Sequence, residues 1–292
     1  MSSPAFRPLA DLIPAHWTEG TVPANGIQVH YWRTGGDKPP LVLLHGFTDD
    51  GLCWLRVARD LQADYDVLMP DTRGHGRSSG PTTGYSWLTP GADTLAFVRA
   101  LGLARPILMG HSMGAVAAVM AAAGQPDLPA ALILEDPPAR ALPPPTTDEA
   151  RAWLNRWIAD IRARQAMTPD ERMAAALREW QPGTPLWDEL EMVPWVESKA
   201  LFNLAVLTAA PGMTDMAPWQ AALTRLTCPV LLLAGDAARG SVLTDADLAA
   251  LAASAPSVRI VRFPTGHNIR REAYEAYMAA VREFLREVST AS

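Results

Sequence analysis

Short apolar runs alternate with stretches of helical periodicity along most of the chain. The runs are Leu41–Leu44, Asp66–Pro70, Pro106–Met109, Ala131–Leu134, Val230–Ala234 and Val258–Phe263. Before them, two strand-like segments flank Asn25-Gly26, a dipeptide typical of tight hairpin turns. Near-continuous apolar strands separated by helices indicate a mostly parallel sheet that is covered on both faces. The pattern therefore predicts an α/β protein with a doubly wound sheet.

One region interrupts this alternation. From residue 137 to residue 217 we find no strand pattern, only helical patterns punctuated by proline and glycine. Thr168 followed by Pro169 is typical of a helix N-terminus, because a threonine hydroxyl can cap the first turn and proline is favoured at the first helical position. The region is too long for a loop. We predict a helical cap at 137–217, inserted between two core segments, 1–136 and 218–292.

Composition narrows the class of protein. The chain has 292 residues, a net charge of −6 and only two cysteines. Its basic residues form no stripe or tail, so nucleic acid is not an expected partner. No apolar run reaches membrane-spanning length, and the N-terminal residues lack the pattern of a signal peptide. We expect a cytoplasmic protein that does not bind a membrane, and a homodimer remains open.

The strongest chemical signal is the pentapeptide Gly110-His111-Ser112-Met113-Gly114, which lies between an apolar run and a helix of small residues. A serine on such a strand–turn–helix is held in a strained conformation with its Oγ projecting above the sheet. The helix N-terminus below it favours negative charge. Ser112 is therefore a candidate nucleophile, and the alternative is an inert serine in a glycine-rich turn.

Three further motifs follow the order of a known family. They are LLHGF at Leu43–Phe47, DTRGHGRS at Asp71–Ser78 and TGHNI at Thr265–Ile269. With the serine turn, they make the chain resemble the α/β-hydrolase family over nearly its whole length. The N-terminal arm and the tryptophan-rich insertion fall outside the resemblance, the insertion matching the family's variable cap by position only. The resemblance implies a serine hydrolase that needs no cofactor and no metal.

A serine hydroxyl needs a base to take its proton. His267 is the candidate, because it follows the last strand. The other histidines are expected to pack or to lie on the surface: His16, His30, His45, His75 and His111. The oxyanion needs fixed donors. The backbone N–H of Met113 follows the nucleophile, and the resemblance implies the N–H of Phe47 as its partner.

The acid that orients the histidine is harder to place. Most family members carry it in the loop after the strand Val230–Ala234, where this chain has Ala238. Asp236 could serve if the loop bends differently, or it could cap the loop. Other members carry the acid one strand earlier, where the family pattern aligns Glu135 and puts Asp136 one residue beyond. Neighbours on a strand face opposite sides, so only one of these two should face the histidine. We predict Glu135 as the acid, with Asp236 as the alternative and Asp136 as a turn residue.

These residues predict a serine hydrolase that cleaves a carboxylic ester or lactone through an acyl-enzyme on Ser112. Serine at this turn argues against epoxide hydrolases and haloalkane dehalogenases, which use aspartate there. Half of the chain's ten tryptophans lie in the predicted cap and suggest a pocket for a small apolar or aromatic substrate, unless they pack the cap's own core. Hydrolysis of a carbon–carbon bond in a diketone and a non-hydrolytic, receptor-like protein remain alternatives.

Overall fold

The computed structural model describes residues 6–80, 85–140, 147–180, 185–209 and 218–291. Its strands are β1 Thr18–Ala24, β2 Ile27–Arg33, β3 Pro40–Leu44, β4 Asp66–Pro70, β5 Ile107–His111, β6 Ala131–Glu135, β7 Val230–Ala234 and β8 Val258–Arg262. They form one eight-stranded sheet in the order β1-β2-β4-β3-β5-β6-β7-β8. The first two pairings are antiparallel, and the pairings from β4 to β8 are parallel. The predicted α/β class and the predicted strands are confirmed.

Helices cover both faces of the sheet. They are α1 Leu9–Leu12, α2 Leu55–Leu61, α3 Thr89–Ala100, α4 Met113–Gly124, α5 Asp148–Gln165, α6 Pro169–Glu179, α7 Glu189–Ser198, α8 Ala205–Ala209, α9 Trp219–Leu223, α10 Asp245–Ser254, α11 Ile269–Glu272 and α12 Tyr274–Ala291, with short 3-10 helices at Gly51–Trp54, Lys199–Leu201 and Ala237–Arg239. In the part of the chain that the structure describes, none of the helices is both long and apolar enough to span a bilayer.

The side chains of β3 show how the sheet is buried. Val42 and Leu44 belong to the apolar core that includes α3 and α4. Leu41 and Leu43 belong to a second core, which includes α2 and α12 on the opposite face. Because successive side chains of a strand point to opposite faces, a strand that is apolar throughout needs helices on both sides.

The region between β6 and α9 is helical in the parts that the structure describes. Its described parts, 147–180 and 185–209, hold α5 to α8 and contain no strand; we call them the helical segment. Thr168 and Glu171 form a capping box at the start of α6, as the Thr-Pro sequence indicates. The predicted limit at residue 217 lies outside the described residues.

The helical segment packs on the loop that follows β3. Lys199 Nζ donates to Thr48 O over 2.9 Å and lies 3.1 Å from Asp49 Oδ1. Ser198 Oγ also lies 3.1 Å from Thr48 O. The segment therefore lies at the carboxyl ends of the parallel strands, the edge at which open α/β sheets bind their ligands.

Candidate active site

Ser112 occupies the turn between β5 and α4 with φ 53° and ψ −117°. A positive φ costs a residue other than glycine about 1–3 kcal/mol, so the surrounding packing must hold it. Both flanking glycines are needed: a Cβ on Gly110 would lie 2.3 Å from Gly114 O, and one on Gly114 would lie 2.1 Å from Leu44 O. Ser112 N donates to Glu135 O over 2.8 Å. The serine remains partly exposed at the carboxyl edge of the sheet.

His267 lies in the loop after β8 and contacts Asp136. The two atoms, His267 Nδ1 and Asp136 Oδ2, are 2.7 Å apart. The Asp136 side chain has no solvent exposure, whereas that of His267 is 26% exposed. A carboxylate can only accept here, so Nδ1 carries the hydrogen and Nε2 is left as the acceptor. That tautomer is the one a general base for a serine requires.

Ser112 and His267 are linked through His111. Among the described residues no hydrogen bond joins Ser112 Oγ to His267 Nε2; such contacts are often long before substrate binds. His111 links the two instead, since it precedes the serine and its Nε2 donates to His267 O over 3.0 Å. Burial lowers the pKa of His111 well below its ordinary value. This histidine is therefore neutral and structural, as the sequence suggested.

The carboxylate beside His267 is Asp136 and not Glu135, which corrects the expected pairing. Glu135 is the last residue of β6, and its carboxylate accepts from Arg270 N over 3.0 Å and from Arg270 Nη1 over 3.1 Å. Asp136 is the first residue after the strand and turns back with φ 43°. As predicted, only one of the two neighbours faces the histidine. A sequence signal existed, because Arg270 lies three residues after His267 and is a ready partner for a buried glutamate.

Asp236 does not contact His267 either. Its Oδ1 accepts from Ala238 N over 2.9 Å at the start of a 3-10 helix, and its side chain is 45% exposed. This is the loop-capping role that the sequence left open. Instead, the same loop contributes Ser241 and Val242, which contact Asp136 at 2.6 and 3.0 Å. No pattern in the sequence indicated these two residues.

We predict that Glu135→Gln lowers stability. Glu135 and Arg270 are both fully buried, so the change removes the carboxylate nearest to the guanidinium and leaves it with Glu191 at 3.7 Å and Asp49 at 3.9 Å. Loss of one partner of a buried ion pair costs about 3–5 kcal/mol in the free energy of unfolding. Urea denaturation measures the loss. Glu283→Gln at the exposed pair with Arg259 is the control and should leave the free energy of unfolding nearly unchanged, because solvent screens this pair. An equal effect of both substitutions would contradict the structural role of Glu135.

The predicted oxyanion donors are two backbone amides at this edge. Met113 is the first residue of α4, where N–H groups have no acceptor within the helix. Phe47 lies in the loop after β3, next to Thr48, which has φ 64°. Among the described residues neither amide has a hydrogen-bond acceptor. Both are therefore available to a ligand oxygen, provided the loop is fixed.

His45 fixes that loop. Its Nδ1 donates to Gly46 O over 2.8 Å, and its Nε2 accepts from Thr72 N over 2.9 Å. Burial lowers the pKa of His45 and keeps the ring neutral. One ring nitrogen can therefore donate while the other accepts. Gly46 has no room for a side chain, because a Cβ there would lie 2.7 Å from His111 Nδ1. The loop therefore has little freedom beside the serine.

Asp49 in the same loop belongs to a buried ionic cluster. It pairs with Lys199 of the helical segment and, over 2.9 Å, with Arg271 of α11. Burial alone would raise the pKa of Asp49, but Arg271, Lys199 and Arg270 lower it overall. The cluster joins the loop after β3, α11 and the helical segment.

Asp50 is buried, and it forms no ion pair with any residue that the structure describes. Burial and the neighbouring Asp71 and Asp49 raise its pKa to about 8. A carboxyl whose folded pKa is raised contributes stability that is fully present below its unfolded value and is lost as the pH rises through the folded value. We therefore predict that Asp50→Asn matches wild type near pH 4 and becomes progressively more stable than wild type up to pH 8. Thermal unfolding at each pH measures this difference; Asp37→Asn, at an exposed position, is the control. A difference independent of pH would contradict the assignment.

Aromatic side chains surround the Phe47 ring. The rings of Trp157 and Phe202 each lie 5.5 Å from it, and Trp153 lies 5.0 Å from Trp157. Trp153 is 47% exposed. The remaining tryptophans of the segment, Trp180, Trp187 and Trp195, pack on each other with ring distances of 4.9 and 5.3 Å. Trp180, Trp187 and Trp195 therefore pack the segment's own core, which was one of the two expectations, and a substrate pocket beside Trp157 stays a prediction. No group of three potential ligands suited to a metal occurs within the described ranges.

Known proteins are similar to this chain over most of its length. Residues 41–280 match the family model described as "Alpha/beta hydrolase family". N-formylmaleamate deformylase of Pseudomonas putida is 32% identical over 270 residues, which cover 91% of this chain and 96% of the relative. 3-oxoadipate enol-lactonase 2 of Acinetobacter baylyi is 28% identical over 244 residues, covering 80% and 84%.

Solved structures are similar over the same length. The crystal structure of N-formylmaleamic acid deformylase from Pseudomonas putida superposes with a TM-score of 0.73 at 26% identity, covering 90% of this chain and all of the other. The structure of E-2-(acetamidomethylene)succinate hydrolase superposes with a TM-score of 0.74 at 23% identity, covering 93% and 100%. At that identity the second likeness concerns the fold alone.

Proposed function

The chain belongs to the alpha/beta hydrolase family, and from this premise we propose that it is a serine hydrolase that cleaves a carboxylic ester or lactone through an acyl-enzyme on Ser112. The observation that carries the proposal is the contact between His267 Nδ1 and the buried Asp136 Oδ2, 2.7 Å long, beside the serine turn. It gives the histidine the tautomer that activates a serine. The triad in this proposal is Ser112, His267 and Asp136.

In the first half-reaction Ser112 Oγ attacks the acyl carbon while its proton passes to His267 Nε2. Asp136 stabilises the resulting imidazolium and keeps the ring oriented. The N–H groups of Phe47 and Met113 donate to the oxyanion as it forms. His267 then returns the proton to the leaving oxygen, the carbon–oxygen bond breaks, and the acyl group remains on Ser112.

In the second half-reaction water takes the place of the alcohol. His267 Nε2 accepts a proton from water as the hydroxyl attacks the acyl carbon, and the same two amides bind the second oxyanion. Transfer of the proton to Ser112 Oγ releases the acid and restores the enzyme. Every proton in this cycle is carried by residues of the chain, so the proposal includes no cofactor and no metal.

The substrate in this proposal carries a small apolar or aromatic group. Phe47 supplies an oxyanion donor, and its ring contacts the rings of Trp157 and Phe202. A group bound at Ser112 would therefore meet an aromatic surface, which apolar and aromatic groups favour. We treat the helical segment as the cap over this site.

Hydrolysis of an N-formyl amide is the second candidate. The specific observation in its favour is the deformylase relative, which is 32% identical over 91% of this chain. The same triad and amides would serve, with nitrogen as the leaving atom in place of oxygen. The two candidates therefore differ in the leaving atom, nitrogen or oxygen, and in the acyl group on Ser112, which would be formyl in the second.

A panel of purified substrates separates the candidates. It comprises p-nitrophenyl esters of increasing acyl length, lactones, N-formyl amides and a diketone, each assayed with wild type and with Ser112→Ala. Esters or lactones should give the highest kcat/KM, and Ser112→Ala should give none. Highest activity on the N-formyl amide would select the second candidate, and cleavage of the diketone alone would overturn both.

A further inference from the structure

Two residues of the loop after β7 bind the carboxylate that we assign to the triad. Ser241 Oγ lies 2.6 Å from Asp136 Oδ1, and Val242 N donates to Asp136 Oδ2 over 3.0 Å. His267 Nδ1 donates to the same Oδ2. Each oxygen of this fully buried carboxylate thus has at least one donor.

We propose that Ser241 is a positioning residue for the catalytic acid: the loop after β7 holds the acid of the triad although it does not supply it. The proposal rests on the proposed function, because it concerns the same triad. It goes further by assigning a part in the reaction to a loop whose own carboxylate, Asp236, points elsewhere.

The direction of the Ser241 hydroxyl follows from its neighbours. Leu243 N donates to Ser241 Oγ over 3.3 Å, which occupies an acceptor position of the hydroxyl. The hydroxyl hydrogen can go to Leu243 O at 3.3 Å or to Asp136 Oδ1 at 2.6 Å. The shorter contact to a charged oxygen is the stronger one, so the hydroxyl donates to Asp136.

The backbone brings Ser241 to this place. Gly240 has φ 99°, a conformation that favours glycine, and Ser241 N donates to Asp236 O over 3.1 Å to close the turn. At Gly235 an added Cβ would lie 2.4 Å from Gly266 O and 3.0 Å from Ser241 Cβ. The absence of a side chain there lets the loops of Ser241 and His267 pack directly on one another.

Such a contact matters because the carboxylate is buried. A charged group without water depends on fixed donors for its stability and its orientation. Without the Ser241 hydroxyl, Oδ1 loses its donor and the carboxylate is free to rotate about its last bond. Oδ2 then points less accurately at His267 Nδ1, and the ring is held less well.

The test is Ser241→Ala, assayed on the best substrate of the panel. We expect kcat to fall by about 10–100-fold, as for other outer hydrogen bonds that orient a functional side chain, with KM unchanged. A carboxylate with one donor fewer is also a stronger base and retains the imidazolium proton more tightly. The acid limb of the kcat/KM profile should therefore move to higher pH. Ser241→Thr keeps the hydroxyl and should restore both quantities, and Ser254→Ala, at an exposed position on α10, should change neither.

Each other outcome overturns the inference. Ser241→Ala with wild-type kcat and an unmoved acid limb would show that the contact has no part in the reaction. A lower kcat with an unmoved acid limb and a lower melting temperature would assign Ser241 a structural role only. Ser112→Ala separates failure of the proposed function from failure of this inference. If Ser112→Ala keeps activity, the proposed function fails. If Ser112→Ala is inactive and Ser241→Ala is unaffected, only this inference is rejected.

Discussion

Replacing Ser112 by alanine should lower kcat by about 10⁴- to 10⁶-fold, the range that loss of a serine nucleophile costs in enzymes with this triad. The substitution removes the only atom of Ser112 that attacks the substrate and leaves the backbone in place. Ser112 N keeps its hydrogen bond to Glu135 O. The melting temperature should therefore match that of wild type, which separates loss of chemistry from loss of fold.

Ser254→Ala is the matched control for this prediction. Ser254 Oγ bonds to Ala250 O on the exposed side of α10, so the same chemical change there should leave kcat unaltered. Steady-state assays of the three proteins on one substrate measure the effect. If Ser112→Ala retained wild-type kcat, the assigned nucleophile would be wrong.

Replacing Asp136 by asparagine should lower kcat by about 10³- to 10⁴-fold, because the histidine is then held in the wrong tautomer. The side-chain amide has nearly the shape of the carboxylate, yet Ser241 and Val242 both donate to Asp136 already. The asparagine side chain has one acceptor oxygen where aspartate has two. Its NH₂ group therefore faces either Ser241 Oγ, or Val242 N and His267 Nδ1. If it donates to Nδ1, the hydrogen of His267 moves to Nε2, which can no longer take the serine proton.

Asp236→Asn is the control for the acid. Asp236 caps a 3-10 helix at the surface, and an asparagine oxygen can still accept from Ala238 N. Its kcat should remain near that of wild type. If Asp236→Asn had a strongly reduced kcat and Asp136→Asn had the kcat of wild type, the acid would lie in the loop after β7 and the triad proposed here would be wrong.

The sheet and the serine turn could be predicted because each depends on local sequence. Strands such as β3 are apolar on both faces, which is expected only of a sheet covered by helices on both sides. The turn at Ser112 needs glycine on either side, and Gly110 and Gly114 have no space for a Cβ. Both requirements leave a visible pattern in the chain.

The sequence could not show which carboxylate contacts His267, because this depends on which residue is the last of the strand. Glu135 and Asp136 are neighbours, and the strand decides which side each one faces only if its last residue is known. β6 ends at Glu135, whose side chain pairs with Arg270, and Asp136 turns toward His267 with φ 43°. These are long-range contacts that the local pattern does not record.

The tryptophans show the same limit. The sequence shows the helical periodicity of the helical segment. It does not show which aromatic side chains contact the loop after β3. Trp157 contacts Phe47, whereas Trp187 and Trp195 pack within the segment. Which tryptophans contact Phe47 depends on how the helices lie on the loop after β3. Tertiary contacts, such as that of Lys199 Nζ with Thr48 O, determine this packing.

The most direct test of the triad is the rate at which a fluorophosphonate labels the protein, because it needs no knowledge of the substrate. The second-order rate constant would be measured by intact mass spectrometry for wild type, Asp136→Asn and Asp236→Asn, with the adduct located by peptide mapping. The triad proposed here predicts one adduct on Ser112, rapid labelling of wild type and Asp236→Asn, and labelling slowed by about 10³-fold or more in Asp136→Asn. Unlabelled wild type, an adduct elsewhere, or equal rates for Asp136→Asn and wild type would contradict it.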